Sequence, residues 1–140
     1  MKIYTSYFAK VRELERAGVR PVSVARFSPK WFTGAVYPAL ASEAESLLAY
    51  KAGQKDARTV REEYVKDVLG LLSAAAVAAD LERIGGGRDV ALCCYERPGD
   101  FCHRRLIRAW LNANGIFCRE YLFTDARQLA LFEDSAENGS

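Results

Sequence analysis

The chain has 140 residues, 50% of them hydrophobic and 27% charged, and a formal net charge of +2. That length suits one domain with a core of its own, and the composition excludes a disordered or fibrous chain. The charge is too small to draw nucleic acid by bulk electrostatics, so any basic site has to be a local concentration.

The N-terminus, Met1-Lys2-Ile3-Tyr4-Thr5, enters a strand pattern directly and lacks the apolar run of a secretory signal. The most apolar helical stretch, 68–84, contains Asp80, Glu82 and Arg83, which argues against a membrane span. Cys93, Cys94, Cys102 and Cys118 form no Cys-x-x-Cys pair. Reduced thiols and a cytoplasmic location are therefore expected.

In chain order, residues 3–8 are rich in β-branched and aromatic side chains and predict a strand. A short helix over 9–17 follows, with Gly18 placed to end it. Residues 20–27 predict the next strand. Residues 28–38 carry two prolines, a glycine and large aromatics, which predicts a structured loop. Helix is expected over 39–50, polar loop over 51–58, and helix again over 59–72 and 73–84, stopped by Gly85-Gly86-Gly87. The continuous apolar run over 90–95 predicts a strand buried on both faces. Helix over 102–114 has Leu106, Ile107, Trp110 and Leu111 on one stripe and Gly115 at its stop. A last strand over 116–123, a short helix over 125–132 and a polar tail over 133–140 complete the chain. Residues 1–132 thus read as one α/β domain. The alternation predicts three layers, a mostly parallel sheet between helices, with ligands beyond the carboxyl ends of the strands.

The strongest functional signal is Cys94-Tyr95-Glu96-Arg97-Pro98-Gly99-Asp100-Phe101-Cys102-His103-Arg104-Arg105. It joins a buried strand to a helix start, and it holds the chain's single histidine. A helix start offers unsatisfied N–H groups and partial positive charge, and the arginines reinforce it as an anion site. His103 is either a core residue bonded to a backbone carbonyl or a ligand donor and general acid–base group. The adjacent arginines should lower its pKa and keep it neutral. Cys102, at the helix start, is a candidate thiolate nucleophile, set against the reading of a small buried residue. Arg26, at a strand end, pairs with Glu96, with a ligand anion, or with both.

Glu96 is a further proton-transfer candidate, while Ser28 and Arg104 are candidate substrate contacts. Trp31 and Tyr37 are the aromatics expected to cover the pocket. Cys94, Glu96, Cys102 and His103 match no standard zinc spacing, so no metal and no other cofactor is expected. The run Lys51-Ala52-Gly53-Gln54-Lys55-Asp56 reads as solvated surface.

Three segments carry a resemblance. They are Ile3-Tyr4-Thr5-Ser6, then Val24-Ala25-Arg26-Phe27-Ser28-Pro29, then Cys94-Tyr95-Glu96 with Cys102-His103-Arg104. On these the chain resembles the bacterial and phage family numbered 488 among domains of unknown function. Many members of that family have Asp before the strand-end arginine, where this chain has Ala25. The resemblance implies a Rossmann-like domain and no agreed activity.

Taken with the residues, the expectation is an anion-binding pocket in an enzyme for a phosphate-bearing or nucleotide-like substrate. The alternative is a non-catalytic module for a nucleotide or nucleic acid. A small anionic ligand is the expected partner, and no membrane; the oligomeric state stays open.

Overall fold

A computed structural model of the chain describes residues 1–95 and 103–123. Within the described residues five strands form one sheet: β1 (Ile3–Tyr7), β2 (Arg20–Ser23), β3 (Ala35–Val36), β4 (Val90–Cys94) and β5 (Cys118–Glu120). Their order is β3-β2-β4-β1-β5, and every pairing is parallel. Among the described residues five α-helices flank the sheet: α1 (Val11–Arg16), α2 (Ala44–Lys51), α3 (Ala57–Asp67), α4 (Ala74–Gly85) and α5 (Arg104–Ala113). The architecture is the expected three-layer, Rossmann-like α/β fold.

β4 sits at the centre, between β2 and β1, and all five of its residues are buried. Successive strand residues face opposite ways, so one strand feeds two cores. Val90, Leu92 and Cys94 join a cluster with Tyr64 of α3, Val77 and Leu81 of α4, and Ile107 and Leu111 of α5. Ala91 and Cys93 join a second cluster with Phe8 and with Val11 and Leu14 of α1. Each fully buried Leu or Ile contributes about 1.5–3 kcal/mol of transfer free energy. Chain leaving β1 therefore covers one face through α1, while chain leaving β4 covers the other through α5. That divergence leaves a crevice at the carboxyl ends of the strands.

Local signals set most of the boundaries. Asp56 caps α3 by accepting from the Thr59 N–H at 2.8 Å, so this helix starts before residue 59. Ser73 caps α4 through the Ala76 N–H at 3.2 Å. Gly86 closes α4 in the left-handed region, φ 58°, a conformation that costs a glycine little.

Several boundaries differ from expectation: the helix expected over 39–50 starts at Ala44 after a 3-10 turn over Pro38–Leu40, and the strand expected over 116–123 pairs only over Cys118–Glu120. The helix expected over 59–72 ends at Asp67 and continues as a 3-10 turn over Leu69–Leu71. Sheet pairing of the second strand ends at Ser23, although Val24 still donates its N–H to the Cys93 carbonyl at 3.0 Å. The loop expected over 28–38 contains the edge strand β3. The expected helix over 125–132 and the tail over 133–140 lie outside the described residues.

Candidate anion cavity at the ends of β2 and β4

Beyond the carboxyl ends of β2 and β4 lies a cavity of about 210 Å³. Ala25, Arg26 and Phe27 enter it from the chain after β2, and Cys94 and Tyr95 from the end of β4. His103 enters from the start of α5, Ser42 from the approach to α2, and Leu47, Tyr50 and Lys51 from α2 itself. These last three lie three and four residues apart, the spacing of one helix face. No residue of α2 is buried, so its inner face lines space rather than core.

His103 sits just before the first turn of α5 and is 5% exposed. Its Nε2 lies 2.9 Å from the Val24 carbonyl oxygen. A carbonyl only accepts, so Nε2 is the donor, and in the neutral ring Nδ1 is the basic atom. The ring also stands edge-on to Tyr64, with centroids 5.1 Å apart, and the Tyr64 hydroxyl donates to the Leu40 carbonyl at 2.6 Å. Burial pushes the His103 pKa down to about 4; the Arg104 charge adds to this and the Val24 carbonyl opposes it. The depression agrees with expectation in direction, but its main cause is burial rather than the arginines.

Arg26 is exposed and lines the same cavity. Its Nε donates to the Ser42 carbonyl at 2.8 Å, which ties the strand end to the segment leading into α2. No carboxylate among the described residues pairs with it. Arg26 and His103 therefore share one site. Glu96 and Cys102, the other candidate catalytic groups, lie outside the described residues, as does any Arg26–Glu96 pair.

The remaining candidates sit elsewhere. Arg104 is 6% exposed and does not line the cavity. Its Nη1 donates to the Ser6 carbonyl at 3.1 Å, and its Nη2 lies 3.1 Å from Glu120 Oε2. Thr5 donates to the other Glu120 oxygen at 2.6 Å, so the arginine joins β1 to β5. Ser28 shares a 2.6 Å hydroxyl hydrogen bond with Ser23. Trp31 is 59% exposed and packs edge-on against Phe8 and Phe32. Tyr37 donates to Asp80 Oδ2 at 2.5 Å, and burial, then Asp80, push its pKa up to about 12. None of these three lines the cavity.

Sequence reasoning did not single out Ser42, Leu47, Tyr50 or Lys51, and it assigned Lys51 to a surface loop. The signal available was the spacing of Leu47, Tyr50 and Lys51, but nothing in the sequence tells which strand end that face meets.

Cys93, Cys94 and Cys118 are free thiols. Among the described residues, no group of three or more His, Cys, Asp or Glu is placed to hold a metal ion. No described helix is long and apolar enough to cross a membrane.

Neither a curated protein nor a solved structure matches the chain. A family model described as "Active DUF488-N3 subclade" matches residues 7–115. That span holds the strand-end Arg26 segment and the whole motif from Cys94 to Arg105, and it covers every residue that lines the cavity. The chain therefore belongs to the DUF488 family.

Proposed function

We propose that the cavity binds a small phosphate-bearing or nucleotide-like anion, and that the chain acts on this ligand as a cytoplasmic enzyme. The observation that carries the reading is Arg26. It is anchored through Nε on the Ser42 carbonyl, lines the cavity, and has no carboxylate partner among the described residues. An anchored guanidinium keeps a planar fork of donors for a phosphate or carboxylate.

His103 supplies the proton-transfer group. Its ring is held by the Val24 carbonyl, with Nδ1 as the basic atom. At a pKa of about 4 it is a weak base in the empty cavity. An anion at the cavity mouth favours the protonated ring and opposes that depression. Glu96 and Cys102 keep the roles that the sequence suggests for them, as a second proton carrier and a nucleophile. The description of the matched subclade as active agrees with an enzymatic reading.

The second reading is a non-catalytic module for a nucleotide or nucleic acid, and the carbonyl bond of His103 favours it, because the same contact serves a purely structural histidine. Thermal-shift screening with inorganic phosphate, nucleotides and short oligonucleotides, then product analysis of the hits, separates the two. A ligand that stabilises the chain and is converted supports the enzyme; one recovered unchanged supports the module. Arg26→Ala should remove the stabilisation. If that variant responds as the parent does, the anion site lies elsewhere.

A further inference from the structure

Charge is unevenly distributed along the depth of the cavity. Ala25, Ser42, Cys94 and His103 form its interior, exposed by 8%, 4%, 2% and 5%. These four side chains bring no formal charge near neutral pH, His103 included, since burial keeps its ring neutral. Among the described residues, the two cations that line the cavity, Arg26 and Lys51, are both exposed. They come from different elements, the chain after β2 and the last residue of α2.

An anion carried to the interior would lose its water without meeting a counter-charge among the described lining residues, which is costly. A neutral heterocycle has the opposite requirements. Its faces suit Leu47 and Tyr50, and its polar edge suits the Ser42 hydroxyl and the His103 ring. Size points the same way. At about 210 Å³ the cavity falls short of the roughly 300–1,000 Å³ of pockets that enclose a drug-sized ligand, so a whole nucleotide does not fit inside.

We infer that the cavity admits the neutral ring of a nucleotide and leaves its phosphate at the mouth, between Arg26 and Lys51. This rests on the anion-cavity reading and gives it an orientation. It makes Lys51 a second phosphate contact and Tyr50 a ring contact. A phosphate left in water belongs equally well to a free mononucleotide or to the end of a single strand, and the ring recognition is common to both.

The test is calorimetric titration of the full chain with inorganic phosphate, the ribonucleosides, their 5′-monophosphates and a short 5′-phosphorylated single strand. At least one nucleoside should bind, and its monophosphate should bind about tenfold more tightly or better, the gain expected of charge-assisted hydrogen bonds. Arg26→Ala and Lys51→Ala should each cut that gain and spare the nucleoside. Leu47→Trp fills the interior from a helix with no buried residue, so the fold tolerates it. It should block nucleoside and nucleotide and spare inorganic phosphate, while Leu47→Ala should weaken the nucleoside alone. Tighter binding of the strand than of the monophosphate assigns the ligand to a chain end; the reverse assigns it to the free nucleotide. Phosphate binding without nucleoside binding, or loss of phosphate binding in Leu47→Trp, overturns the orientation and leaves the anion cavity standing. No binding of any of these ligands overturns both.

Discussion

His103 and Arg104 are neighbours in sequence, yet they grip the two strands that flank β4. His103 Nε2 donates to the Val24 carbonyl at the end of β2, and Arg104 Nη1 donates to the Ser6 carbonyl of β1. One side chain lines the cavity, and the other completes a part-buried ion pair with Glu120. A single dipeptide at the start of α5 therefore combines a site residue with a staple of the sheet.

The buried histidine makes stability depend on pH. In the folded chain His103 titrates near pH 4, against an ordinary value of 6.5. Between those values the unfolded chain holds more protons, so stability rises with pH across this window and is lost as pH falls through it. The loss should reach about 3 kcal/mol by the lower end. Urea unfolding of the parent and of His103→Gln between about pH 7 and pH 4.5 checks this. The parent should lose midpoint steadily and the variant should be nearly flat; equal slopes would contradict a neutral buried ring.

Arg104 is expected to act on the fold rather than on the ligand. Arg104→Met removes one partner of Glu120, which keeps the Thr5 hydroxyl and Arg108 at 3.6 Å and, with its side chain 27% exposed, regains water. The expected cost is about 2–3 kcal/mol, below the usual range for a fully buried pair. Denaturant unfolding measures the loss, and phosphate-induced stabilisation should persist. A variant of parental stability that no longer responds to phosphate would put Arg104 in the ligand site.

Tyr37 and Trp31 give a contrasting pair. Tyr37→Phe removes a 2.5 Å bond to Asp80 in a part-buried position, and should cost about 1–2 kcal/mol. Trp31→Ala removes a ring that is 59% exposed, and should cost less than about 1 kcal/mol. Neither should alter ligand-induced stabilisation. A lost response in either variant would mean that its ring reaches the ligand after all.

All four cysteines should be thiols. Ellman titration of the denatured, non-reduced chain should find each of them. In the native chain Cys93, Cys94 and Cys118 are 0%, 2% and 3% exposed, and burial pushes the Cys93 and Cys118 thiols up to about 12. They should react only as fast as the chain opens. Fewer than four thiols after denaturation would reveal a disulfide.

The core strands were legible because burial on both faces leaves an unbroken apolar run, as in Val90–Cys94. The glycine stop at Gly86 was legible because few other residues take a left-handed conformation cheaply, whereas Ser73 was read as helix and is its cap. β3 was not, because two half-exposed edge residues carry no periodicity within a loop of prolines and aromatics. The pairing of Arg26 with His103 in one cavity was legible from their places at strand ends. Trp31 and Tyr37 were not placed, since ring content does not disclose which face of the sheet a loop packs on. Tyr50 and Lys51 stayed hidden because α2 buries none of its residues, so no apolar stripe marked its inner face.

That last feature separates two demands that most helices must meet together. Folding leans on α3, α4 and α5, whose residues fill the core beside β4. α2 contributes no buried residue to it, and is held at its margins by the Ser46–Glu63 and Arg26–Ser42 hydrogen bonds. Leu47 and Lys51 can therefore vary at a smaller cost in stability than a core residue. Exchange of Leu47 or Lys51 is expected to alter what the cavity accepts more than it alters the scaffold, so a single wall could be reshaped while the sheet stays as it is.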